Sequence, residues 1–213
     1  MFWHGVWDRP APLRVARARE ATSVASHRLG QLCFASANVA TLRPAQEGDA
    51  GEGSARRLDL ALQFESSSLQ VVGVQETRCQ YAAPRCTGGY WVLPIPASSA
   101  GLGGVELWLL VDLVTPRDRR SVEVIVADPR RLVARISLQG RWLVIAVLHG
   151  LDRSYGLAAQ QQWWAATSQL LRAPRAVGVP LVLLADANAR LGSHLSPAVG
   201  NCSAEPQCAA GLC

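Results

Sequence analysis

Residues 181–188 read LVLLADAN, and the fold class turns on this stretch. An unbroken apolar run ahead of Asp186 and Asn188 describes a central strand, buried on both faces and ending in a polar tip. Working outward, the same form recurs. LCFASANV at 32–39 reaches Asn38, LQVVGVQ at 69–75 leads into Glu76, and RWLVIAVLH at 141–149 ends in His149. Further strands are expected at 90–95, 105–111, 121–128 and 132–138, with Gln139–Gly140 as a tight hairpin before residue 141. Helices are expected at 55–66 and 157–172. In the first, Ser54 is placed to cap, and Leu58, Leu62 and Glu65 alternate with Arg56, Arg57 and Asp59 as on an amphipathic helix. In the second, Leu157, Gln160, Trp164, Ser168 and Leu171 lie near one stripe, and Pro174 and Gly178 end it. Tyr155, Trp163 and Trp164 read as core or helix-packing residues rather than platforms for bases. The order strand, helix, several strands, helix, strand indicates a mixed α/β protein with its polar strand ends gathered at one edge.

Composition bounds the chemistry. The chain has 213 residues, of which 49% are hydrophobic and 17% charged, enough for a substantial core and against wholesale disorder. No run of about 18 apolar residues exists, so no spanning helix is expected. The net charge of +5 favours polyanionic partners. All 21 basic residues are arginine, so Schiff-base chemistry and a Walker-type lysine are excluded. Arginine binds phosphate bidentately, and a nucleic-acid partner stays open. The six cysteines (33, 79, 86, 202, 208 and 213) form no CxxC pair, and Cys79 and Cys86 lack a nearby histidine, which argues against zinc. They read as reduced thiols, some buried and some in a tail. Residues 1–30 carry Arg9, Arg14, Arg17, Arg19 and Arg28 against Asp8 and Glu20. Trp3 and Trp7 do not suit an amphipathic organelle presequence, so this segment is expected to be an unstructured leader.

Each strand tip carries a group with metal or proton chemistry. Glu76 can ligate Mg²⁺, a hard cation that prefers oxygen. Asn38 and Asn188 can orient a phosphate or a metal-bound water. Asp186 can take a proton from an attacking water, and His149 can donate to a phosphate oxygen. Any one of these is an ordinary loop or turn residue when alone. Their joint order at the ends of buried strands, where α/β sheets assemble ligand sites, is the signal.

Five pieces carry a resemblance: FASANVATLR at 34–43, VVGVQETRC at 71–79, GLGGVELWL at 101–109, WLVIAVLHG at 142–150 and LLADANARLGS at 183–193. With them the chain resembles the exonuclease–endonuclease–phosphatase superfamily, nearest to apurinic endonuclease-like proteins and the endonuclease domains of non-LTR retrotransposons. The resemblance covers about residues 31–193. It implies a two-sheet α/β sandwich flanked by helices, in four layers α/β/β/α. It implies an Mg²⁺ (or Mn²⁺)-dependent phosphodiester hydrolase acting on nucleic acid, with DNA the favoured partner and the nucleus the favoured location. Glu76 would be the main metal ligand, assisted by Asn38. Asp186 would activate water, Asn188 would hold the scissile phosphate, and His149 would contact it. Arg190 and Arg78 would be phosphate contacts.

The family closes its site with a late Asp–His pair. Here His194 is the only histidine after Asp186 and follows it too closely to fill that place. The domain is therefore expected to be incomplete at its C-terminus, with 194–213 an irregular cysteine-containing tail and an exposed sheet edge open to self-association. The alternatives are an inactive remnant of the fold and a phosphatase for a small phosphorylated substrate.

Overall fold

The computed structural model describes residues 32–42, 50–113, 121–138, 141–172 and 178–188, all within one unit that begins at Leu32. Among these residues the order is β1 (Phe34–Asn38), α1 (Ala50–Ser66), β2 (Val71–Gln75), β3 (Arg85–Thr87), β4 (Tyr90–Ile95), β5 (Val105–Leu110), β6 (Val122–Asp128), β7 (Arg131–Leu138), β8 (Arg141–His149), α2 (Leu157–Arg172) and β9 (Leu181–Asp186). The expected leader and tail fall outside the described residues, as does the Gln139–Gly140 hairpin, although Leu138 pairs with Arg141 across it.

The strands form two sheets, β1-β2-β5-β4-β3 and β6-β7-β8-β9. Pairing is antiparallel except at two places, β1 with β2 and β8 with β9. Those two parallel pairs place Asn38 beside Gln75 and His149 beside Asp186, so each sheet delivers two strand ends in register. Period-two alternation then sorts the side chains. Val72, Val74, Tyr90, Val92 and Trp108 pack with Ala61 and Phe64 of α1, with Ala35 and Ala37 at the margin. Val133, Val144, Ala146 and Leu148 pack with Trp164 and Leu171 of α2. On the opposite face of β2, Gly73 meets Leu184 and Val147 of the second sheet. The result is the four-layer α/β/β/α sandwich.

Between the sheets the approach is close at one point. A Cβ on Gly73 would lie 2.5 Å from Leu184 Cβ, so only glycine permits this spacing. Next along the inner face, Gln75 Nε2 donates to Ser36 Oγ and to the Leu184 carbonyl, both at 2.9 Å. That side chain therefore links β1, β2 and β9.

Three expectations are corrected. The buried face of α1 is not Leu58 and Leu62, which are 48% and 55% exposed, but Arg57, Ala61 and Phe64. The reason is charge: Glu106 points from β5 toward this helix and accepts from Arg57 Nη1 and Nη2 at 2.8 and 2.6 Å and from Trp108 Nε1 at 2.9 Å. Burial works to lower the Arg57 pKa, but the hydrogen bonds and charge of Glu106 hold it above its ordinary value. The helix also begins at Ala50, before Ser54, which is therefore not its cap. Second, β9 is not central among the described residues but stands at the end of its sheet, with Leu183 exposed. Third, Tyr155 is not core: it is 44% exposed and lies beside Arg130. The short β3 was not expected at all.

Candidate active site

The four polar tips meet across the two sheets. Asn38 Nδ2 donates to Asp186 Oδ2 at 2.5 Å, joining the end of β1 to the end of β9. The Asn38 Oδ1 accepts from the Ala40 N–H at 2.9 Å, which fixes the amide orientation. Residues 39–42 then run along the loop after β2, with Val39 N donating to the Gln75 carbonyl and Leu42 N to that of Thr77.

Glu76 follows Gln75 directly, and the backbone turns there. Glu76 and Arg78 have φ of 59° and 55°, Ala40 has 59° and Asn188 has 47°. Left-handed non-glycine residues are uncommon, and four of the five found among the described residues sit at this edge. The turn is held by Thr77 N and Arg78 N, which donate to the carbonyls of Gly104 and Gly103. Gly104 has φ of 86°, and a Cβ there would lie 2.5 Å from Thr77 Oγ1. The glycine-rich segment before β5 is thus the floor of the Glu76 loop.

Glu76 accepts from Arg78 Nη2 at 2.5 Å. Burial pushes its carboxyl up, but hydrogen bonds from Arg78 and Asn38 and the Arg78 charge hold it below the usual range. Asp186 accepts from Asn188 N at 3.0 Å through Oδ1. The Asn188 side chain donates to the Gly150 carbonyl at 2.9 Å, so it braces the loop after β8. His149 is 6% exposed, and its Nδ1 has no partner. Burial and then the Arg130 charge lower its pKa, only partly offset by Asp186 and Glu76, so the imidazole is neutral at pH 7.

Asn38, Glu76, His149, Asp186, Asn188 and Arg78 are thus brought to one edge, and Arg190 lies outside the described residues. Sequence reading missed Arg130. Its Nη1 donates to the Gly150 carbonyl at 2.9 Å, its Nη2 lies 3.4 Å from Tyr155 Oη, and its charge acts on His149. It comes from the turn between β6 and β7, and no local pattern marks it. Gln75 was also missed, although a polar residue on the inward parity of VVGVQ was a usable signal.

A divalent cation can be tested against these donors. Glu76, Asn38 Oδ1 and Asp186 offer oxygen only, the set preferred by Mg²⁺ or Mn²⁺, which keep several waters and take further oxygens from a substrate phosphate. Among the described residues no group of three or more His, Cys, Asp and Glu is placed to hold a metal. The set therefore fits a cation that leans on Glu76, with Asn38 joining through Oδ1 when its amide turns from the two carboxylates and with water and phosphate completing the shell.

No family model and no curated protein matches the chain. Solved structures do. The apurinic endonuclease LMAP from Leishmania major aligns with a TM-score of 0.51 and 16% identity over 72% of this chain and 54% of its own. An apurinic endonuclease from Archaeoglobus fulgidus aligns with a TM-score of 0.50 and 19% identity over 74% of this chain and 58% of its own. The chain spans little more than half the length of either. It shares the fold of these two endonuclease structures, the α/β sandwich that the sequence resemblance implied.

Proposed function

We propose that the chain is an Mg²⁺-dependent phosphodiester hydrolase acting on nucleic acid, with DNA the favoured substrate. The observation that supports this most is the Asn38–Asp186 hydrogen bond, which puts the polar ends of two sheets into one site. The endonuclease neighbours and the +5 net charge agree with the reading.

Glu76 and Asn38 would hold the cation, which when bound neutralises charge on the phosphate and the leaving oxygen. The rest falls to the chain. Asp186 has both carboxylate oxygens oriented by N–H donors and would hold the attacking water and accept its proton. Neutral His149 would hydrogen-bond a phosphate oxygen, and burial together with Arg130 would keep its imidazole from charging. Asn188 keeps the loop after β8 in place and has a second amide hydrogen for the scissile phosphate.

A plasmid-nicking assay with Mg²⁺ tests the reading. Wild type nicks supercoiled DNA and Glu76→Ala does not. A folded wild type that leaves plasmid intact overturns nuclease action. Turnover of a phosphomonoester instead would mark a phosphatase, and no turnover an inactive remnant of the fold.

A further inference from the structure

The contact between Arg78 and Glu76 has a consequence beyond holding a loop. Resting on the reading that Glu76 is a cation ligand, we propose that Arg78 is a resident competitor for the divalent cation, occupying Glu76 and holding cation affinity low until its guanidinium is displaced.

The geometry favours competition over a permanent structural bond. Arg78 Nη2 lies 2.5 Å from Glu76 Oε1, the carboxylate that a hard cation would need. Asp186 by contrast is satisfied by neutral donors, the Asn38 amide and the Asn188 N–H. Among the described residues, this is the one ion pair made by a residue of the site. The backbone beneath it is fixed: Arg78 N is bonded to the Gly103 carbonyl and Thr77 N to that of Gly104. The side chain above is not. It is 43% exposed, the pair with Glu76 is its hydrogen bond, and its Nε is buried with no partner. The deep Arg57–Glu106 pair is the contrast. There the guanidinium makes two bonds to one carboxylate at 5% and 0% exposure, with no path to solvent. Arg78 is built to let go and Arg57 is not.

Removing the Arg78 charge takes away the one ion-pair partner that Glu76 has among the described residues. A neighbouring unit charge at contact distance alters binding of a divalent ion by about tenfold or more. The test measures Mn²⁺ binding by the free-ion electron paramagnetic resonance signal, with no substrate and no turnover. Circular dichroism melts confirm folding. Arg78→Gln binds Mn²⁺ at least tenfold tighter than wild type. Arg78→Lys, which keeps the charge, stays within about threefold of wild type. Adding Glu76→Gln to Arg78→Gln removes the gain. Arg78→Gln binding no tighter than wild type, or Arg78→Lys tightening as much as Arg78→Gln, overturns the competition while leaving the cation site standing. If Arg78→Gln does not fold, Arg78→Met in its place gives the same reading. Absence of Mn²⁺ binding in every variant overturns the cation site and the competition with it.

Discussion

Asn38 Nδ2 and Asp186 Oδ2 are 148 residues apart in sequence and 2.5 Å apart in space. Each belongs to the tip of a parallel strand pair, one in each sheet, and the bond closes the site where both pairs end. Substituting Asn38 by Asp sets a second carboxylate against Asp186, and like charges at that distance cannot both ionise freely. Asn38→Asp is expected to lower hydrolysis by about tenfold or more and to displace its pH profile upward, since charge repulsion holds one carboxyl protonated. A profile that does not move contradicts the contact.

Gly73 sets the distance between the sheets. Its missing Cβ would meet Leu184 Cβ at 2.5 Å, an atom fixed to the backbone and unable to swing away. Gly73→Ala should cost about 1–3 kcal/mol of stability, the usual range for overpacking a core. Urea denaturation reads this directly, and an unchanged midpoint would mean the sheets separate freely.

The buried pair under α1 should behave differently when one partner or both are removed. Arg57→Met takes two hydrogen bonds and the nearest countercharge from buried Glu106, leaving it Trp108 Nε1 and Arg85 Nη2 at 3.8 Å, at a cost of up to about 3–5 kcal/mol. Arg57→Met combined with Glu106→Leu should recover part of that loss, less the cost of leaving Arg85 Nη2 without the carboxylate 3.8 Å away. Additive losses in the double variant would argue that the pair stabilises in its own right.

His149 predicts a pH dependence of stability. Burial and Arg130 hold its folded pKa below the ordinary 6.5, so the unfolded chain takes up the proton first as pH falls. Protonation then favours the unfolded state, and the His149 contribution to stability declines from pH about 6.5 down to the depressed folded value. His149→Gln should flatten this slope in a pH series of melts. A slope unchanged by the substitution would assign it to other groups.

Much of the fold could be read from the chain. The runs at 90–95, 141–149 and 157–172 became β4, β8 and α2 at the same bounds, because apolar periodicity reports burial directly. The strand tips were legible for a related reason: Glu76, His149 and Asp186 break long apolar runs. What failed was the inward face of α1. A hydrophobic count assigns Leu58 and Leu62 to the core, yet Arg57 is buried because Glu106, 49 positions later, is there to receive it. No window of local sequence contains that pairing. Arg130 was illegible in the same way, since its influence on His149 arises only when the β6–β7 turn folds back over the end of β8.

Hydrolysis of bis(p-nitrophenyl) phosphate with Mg²⁺ tests the proposed chemistry without needing the natural substrate. Wild type should release p-nitrophenol, and Glu76→Ala and Asp186→Asn should each reduce the rate by about 10²-fold or more, the scale of a lost acid–base or electrostatic group. The monoester p-nitrophenyl phosphate should be turned over more slowly. Diester hydrolysis that survives both substitutions would contradict a site built from Asn38, Glu76, His149 and Asp186.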